Sequence, residues 1–162
     1  MDLIYYGQNV GFTTPDVTLT GDPAKDQPAM VTAGYLGGRI MSLKTSGVAG
    51  RGPVIVPCDG SLALPFGTLL NGPGEYATSI GVSGSKKAPV VRAMPFFNVN
   101  ADSYVAAPTT AYAVGNPLYA GTGAAAGMWT SDKPATGEGA VCGICTHIPT
   151  TAEPFLGVAQ SF

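Results

Sequence analysis

Pro53-Val54-Ile55-Val56-Pro57-Cys58-Asp59-Gly60 places a short β-branched run between two prolines and closes it with an Asp-Gly turn. The run is too short for a helix, and its prolines sit where a strand tolerates them, at its ends. An Asp-Gly pair accepts the positive φ that tight turns need. A short strand followed by a turn is therefore the local reading, and the same unit recurs along the chain.

Upstream, turn signals stand at Gly21-Asp22-Pro23, Gly37-Gly38 and Gly50-Arg51-Gly52. Downstream they stand at Asn71-Gly72-Pro73-Gly74, Gly84-Ser85, Gly115-Asn116-Pro117, Gly121 to Gly127 and Gly137-Glu138-Gly139. Turns at intervals of roughly 8–12 residues are the pattern of a β-sandwich or β-barrel. The pieces between them that read as strands are 76–82, 89–97, 109–115, 140–148 and 155–159, beside 53–57. One segment, Gln27 to Gly37, has helix punctuation, with Pro28 near its start and Gly37 past its end. Its interior Gly34 and its β-branched Val31 and Thr32 oppose a helix, so the segment stays open between the two.

Composition agrees with this reading. The 162 residues include 23 glycines and 14 prolines, about twice the usual combined share of roughly 12%. Both residues penalise helix interiors. The expectation is an all-β fold, a β-sandwich or β-barrel of short strands with many Gly/Pro turns and little helix. Residues 1–50 hold fewer clean strands and read as an N-terminal arm or additional strands before a β-domain at 51–162.

Charge narrows the function. Only 11% of residues are charged, against about 25% in ordinary soluble domains. Free-living proteins keep neighbours away with charge. A surface this poor in charge points to a subunit whose surface is covered by others. The net charge of −2, with 8 basic and 10 acidic residues spread along the chain, offers no basic patch for nucleic acid. The one basic doublet, Lys86-Lys87, reads as a solvated hairpin tip.

The first residues carry Asp2 where a secretory signal needs a basic n-region, and no apolar h-region follows. The uncharged run Ser103 to Ser131 is interrupted by Pro108, Asn116, Pro117 and a glycine cluster, so it does not read as a membrane helix. Three cysteines, an odd number, do not form a secreted disulfide framework. The expectation is synthesis in a cytoplasm, with no membrane partner.

Candidate chemistry is sparse. Cys142-Gly143-Ile144-Cys145-Thr146-His147, with distant Cys58, could supply four zinc ligands. In a strand, however, Cys142 and Cys145 fall on opposite faces, and chelation would need a turn at Gly143-Ile144. Buried thiols acting as small hydrophobes are the preferred reading. No βαβ unit accompanies the pair, as a redox motif requires. The Gly121 to Gly127 stretch misses dinucleotide spacing and lacks the Lys-Ser/Thr of a P-loop, leaving a hairpin loop.

A nucleophilic site would have to use His147, the sole histidine, which could pair with Cys145. Glu75, Glu138 and Glu153 lie beside Gly or Pro in expected turns, which suits solvated carboxylates better than an acid–base pair. No catalytic residue and no cofactor is assigned. The sequence reads as a non-enzymatic protein.

Several short segments then carry a resemblance. Leu64-Pro65-Phe66-Gly67-Thr68-Leu69-Leu70, Val114-Gly115-Asn116-Pro117-Leu118-Tyr119, Gly137 to Ile144 and Phe155-Leu156-Gly157-Val158-Ala159 resemble segments of tailed-bacteriophage head decoration, or cement, proteins. The similarity covers about Val54 to Phe162 and does not reach residues 1–50. It implies a β-rich module on the capsid exterior of a virion, binding the major capsid protein and its own copies as a homotrimer or dimer. The candidate contact aromatics are Tyr5, Tyr6, Phe12 and Trp129, with burial in the core the alternative for Trp129. Two other functions stay open: a carbohydrate-binding or host-adhesion β-module, and a small zinc- or thiol-dependent enzyme on Cys58, Cys142, Cys145 and His147.

Overall fold

The structure is a computed structural model that describes residues 10–17, 22–45, 54–70, 88–92, 96–137 and 139–162. It is an all-β protein with two five-stranded sheets and one short helix among these residues. The first sheet closes into a barrel in the order β1-β3-β2-β4-β5. These are β1 (Val10–Pro15), β2 (Ile40–Leu43), β3 (Val54–Pro57), β4 (Gly67–Leu69) and β5 (Ala88–Val91). Strand β3 is the run that opens the sequence reading. It lies parallel to β1, with Thr14 opposite Val54, and antiparallel to β2, with Ser42 opposite Val56. The boundary expected at residue 50 falls between β2 and β3, which are hydrogen-bonded neighbours in one barrel.

The helix α1 (Pro23–Thr32) begins earlier than the punctuation at Gln27 suggested. Asp22 caps it by accepting from the Ala24 N–H at 3.0 Å, and Pro23 takes the first helical position. Gly34, at φ +80°, ends it in a conformation that glycine adopts without strain. Met30 from α1 and Tyr35 just beyond it join Met41, Ile55, Leu69 and Val90 in the barrel core. The Tyr35 hydroxyl donates to Ile55 O at 2.7 Å and accepts from Asp16 N–H at 2.8 Å. One phenol thus holds the β1 end against β3, and its burial raises the phenol pKa to about 12.

The second sheet runs in the order β6-β10-β9-β7-β8. Its strands are β6 (Phe97–Val99), β7 (Pro117–Ala120), β8 (Trp129–Thr130), β9 (Gly143–His147) and β10 (Leu156–Gln160). The single strand expected over 89–97 is two strands, β5 and β6, in different sheets. The strand expected over 109–115 is irregular backbone, and β7 starts at Pro117 instead. There the Asp132 carboxylate accepts the Thr109 and Thr110 N–H groups at 2.8 and 2.6 Å, replacing a sheet ladder. The Gly121–Gly127 segment does connect an antiparallel pair, β7 and β8, through a 3₁₀ turn at Gly123–Ala125. The strand expected over 76–82 lies outside the described residues.

The two sheets share one seam. Ile40 N–H donates to Gly127 O at 2.8 Å, and Gly127 N–H donates to Cys58 O at 2.7 Å. Arg39 reaches Asp102 O through Nε and Nη2 at 3.1 and 2.9 Å. Ile40 and Cys58, from the barrel side, belong to the core of the second sheet with Leu118, Trp129, Leu156 and Val158. At Gly60 a Cβ would lie 2.2 Å from Ala120 O, so only glycine allows the backbones to meet there. No helix among the described residues is long and apolar enough to cross a membrane.

Candidate functional site

The three thiols come first, because they carry the chemical alternatives. Cys58, Cys142 and Cys145 are all free, buried and in one core cluster. The expectation that Cys142 and Cys145 face opposite ways is corrected. Strand β9 begins at Gly143, so strand alternation does not extend back to Cys142, and both side chains turn inward. Each thiol donates to a backbone carbonyl: Cys58 to Ala63 O at 3.6 Å, Cys142 to Ala140 O at 3.4 Å, and Cys145 to His147 O at 3.5 Å. Burial pushes Cys58 and Cys142 up to about 12 and also raises Cys145. A thiol held protonated is neither a nucleophile nor a ready ligand.

His147 does not complete a Cys–His pair, since the Cys145 thiol donates its hydrogen bond to the His147 carbonyl oxygen rather than to the imidazole. The ring instead stacks on Phe155, with centroids 4.5 Å apart, and its Nε2 lies 3.3 Å from a Glu153 carboxylate oxygen. Glu153 N–H is held by the Thr150 hydroxyl in the β9–β10 turn. Among the described residues no group of three or more His, Cys, Asp or Glu is placed to hold a metal. The four-ligand zinc alternative is thus not assembled by this arrangement.

Trp129 is corrected as a contact residue. Its side chain is 0% exposed, and its indole N–H donates to Gly38 O at 2.7 Å across the seam. Phe162 stacks on it at 6.4 Å, and Phe97 meets it edge-on at 5.8 Å. A side chain closed in this way has no surface left for a partner. Phe12 sits in β1 with its backbone opposite Pro89. Its side chain, together with Tyr5, Tyr6, Glu75, Glu138, Lys86 and Lys87, lies outside the described residues.

What the structure offers a partner is apolar surface that the sequence reading did not single out. On the outer face of the second sheet, Ile144 lies opposite Pro117 on β7 and Ala159 on β10. Ile144 is 44% exposed, and Ile148, directly after β9, and Phe96, directly before β6, are exposed too. Strands β6, β7, β9 and β10 contain no Asp, Glu, Lys or Arg. The only sequence signal was the alternation in β9, which left the outward side unspecified.

A second apolar surface is the turn after β3. Asp59 Oδ1 accepts from Ser61 N–H at 3.0 Å and from its hydroxyl at 2.6 Å, while Oδ2 accepts from Gly123 N–H at 2.9 Å. The Ser61 hydroxyl bond is the largest of the effects that hold the Asp59 carboxyl below its ordinary range. This turn presents Leu62, 80% exposed, and Leu64 to solvent. Beside it lies an open cleft of about 390 Å³ lined by Ser61, Thr122, Thr130, Asp132 and Lys133 among others. Its carboxylate is already engaged by Thr109 and Thr110 N–H groups. Burial raises the Asp132 pKa, and those amide bonds more than offset that, leaving it lowered.

The chain matches no family model, no curated protein and no solved structure. Its function therefore rests on its own residues.

Proposed function

We propose that this chain is a structural subunit, not an enzyme, that works by binding other protein subunits. In its specific form, which rests on the sequence resemblance, it is a phage head decoration protein. It is made in the host cytoplasm, sits on the capsid exterior, and holds the major capsid protein and its own copies together as a dimer or trimer. The observation that carries the reading is the pair of exposed apolar side-chain groups, Leu62 and Leu64 on the turn after β3, and Ile144, Ile148 and Phe96 on or next to the strands of the second sheet. Two contact surfaces on different elements suit a protein that bridges neighbours.

The energetics fit repetition. Fully covering a leucine or isoleucine side chain stabilises by about 1.5–3 kcal/mol, so each contact is modest. Several simultaneous contacts raise the effective affinity by avidity. Charge is depleted at interface centres because it would have to be desolvated there, and this chain carries little.

The test is cosedimentation of the purified chain with expanded shells of the major capsid protein encoded in the same genome. Saturable binding at a fixed ratio, with a higher shell melting temperature, is expected. Leu62→Glu should weaken that binding. Shells that bind none of the chain, or that melt unchanged when saturated with it, reject the proposal.

A further inference from the structure

We infer that Asp59 is a positioning residue, whose carboxylate locks the turn after β3 so that Leu62 and Leu64 project as a preformed contact. Both ends of the turn are fixed to β2. Cys58 N–H donates to Ile40 O at 2.9 Å, and Phe66 N–H donates to Met41 O at 2.7 Å. Between these ends, Leu62 and Leu64 stand 80% and 59% exposed, so they add little to the burial that holds their own fold together.

The turn is nevertheless bonded from several sides. Asp59 Oδ1 takes the Ser61 N–H and hydroxyl, and its Oδ2 takes the Gly123 N–H at 2.9 Å. Its main-chain carbonyl accepts from the Leu62 and Ala63 N–H groups, both at 3.0 Å. Ser61 belongs to the link between β3 and β4 of the barrel, whereas Gly123 belongs to the link between β7 and β8 of the second sheet. One carboxylate therefore ties the turn both to itself and to the other sheet. Gly60 adds backbone bonds, donating to Gly121 O at 3.1 Å and accepting from Gly139 N–H at 3.3 Å. Gly137 lies so close to the Ser61 carbonyl that no Cβ fits there.

Association costs free energy for every loop and side chain it has to order, and a contact already held in place avoids that cost. A rigid turn that carries two exposed leucines suits an apolar pocket on the shell subunit. This binding role rests on the decoration reading, but the locking of the turn does not.

Limited thermolysin digestion of the full chain, read by mass spectrometry, tests the locking, because this protease cuts before leucine in flexible backbone. The parent should resist cutting at Ser61–Leu62 and Ala63–Leu64. Asp59→Ala should be cut there about tenfold faster or more, since it loses charge-assisted bonds that oppose local opening. New cuts confined to these bonds separate a loosened turn from general unfolding. Asp59→Asn, which keeps one acceptor oxygen, should lie between the two. Asp59→Ala should also bind expanded shells about tenfold more weakly, although Leu62 and Leu64 are intact.

A parent cut readily at these bonds overturns the inference, as does an Asp59→Ala chain that stays as protected as the parent. A loosened turn that binds shells as tightly as before overturns the positioning role. If Asp59→Ala is cut throughout the chain, Asp59→Asn decides, and parental protection and binding in that variant overturn the inference. A parent that binds no shell refutes the decoration reading and the binding role with it, while the thermolysin comparison still decides whether Asp59 holds the turn.

Discussion

The barrel and the second sheet solve the same problem in different ways. The barrel curls its sheet until the inner face encloses Met41, Ile55, Leu69 and Val90, and adds Met30 and Tyr35 from the helical segment. The second sheet stays open, covers its inner face with Trp129, Cys142, Cys145 and two residues of the barrel side, Ile40 and Cys58, and leaves Ile144 and Ile148 outside. Closure uses up a sheet's edges, whereas an open sheet keeps a free face and edges for others. Interaction surface is therefore expected on the open sheet and on the turns, rather than inside the barrel.

The difference can be broken most forcefully at Trp129. Trp129→Ala removes the largest buried side chain and the hydrogen bond to Gly38 across the seam. It should cost about 3–5 kcal/mol in denaturant unfolding. Leu69→Ala in the barrel and Leu156→Ala in the sheet should each cost about 2–5 kcal/mol. Both are fully buried, and the seam should make both variants shift one common transition. Two separate transitions would mean that the sheets are independent units.

Alkaline titration sharpens the comparison next. The folded state keeps Tyr35, Cys58 and Cys142 protonated up to about 12, above ordinary values of 10 for the tyrosine and 9 for the thiols. A raised acid pKa means that the folded state binds more protons than the unfolded state above the unfolded pKa. Stability should be fully present below pH 9 and fall as pH rises from 9 toward 12. Tyr35→Phe should lose about 1 kcal/mol at neutral pH, from its hydrogen bonds, and flatten the pH 10–12 part of the fall.

Thiol reactivity offers a gentler probe of the same cores. Iodoacetamide, read by mass spectrometry, should modify Cys58 and Cys142 no faster than the protein opens, and urea should accelerate both. Rapid alkylation under native conditions would reopen the thiol alternative. The smallest stability effects belong to the outer surfaces. Leu62→Glu and Ile144→Glu should change unfolding free energy by no more than about 0.5 kcal/mol, because both side chains already face water. A large loss at Ile144 would place it in the core rather than on a contact face.

Turn chemistry carried much of the fold at the level of sequence. Val54-Ile55-Val56-Pro57, followed by Asp59-Gly60, reads as strand and turn because neighbouring residues alone set those backbone preferences. The low charge was legible in the same way, since it is a count. Gly21-Asp22-Pro23 reads as a turn, but the residues that make a turn also start a helix, and α1 begins there. The inward turn of both Cys142 and Cys145 was hidden because alternation holds only within a strand, and β9 starts between them.

By itself, then, the sequence determined an all-β chain of short strands with an unusually uncharged surface. Those properties follow from local sterics and composition. Tertiary structure alone decided that 89–97 divides between two sheets, that Trp129 is core, and that Ile144 and Leu62 face water. Each depends on which distant strand lies alongside, and a side chain's exposure is a property of that packing rather than of its neighbours in the chain.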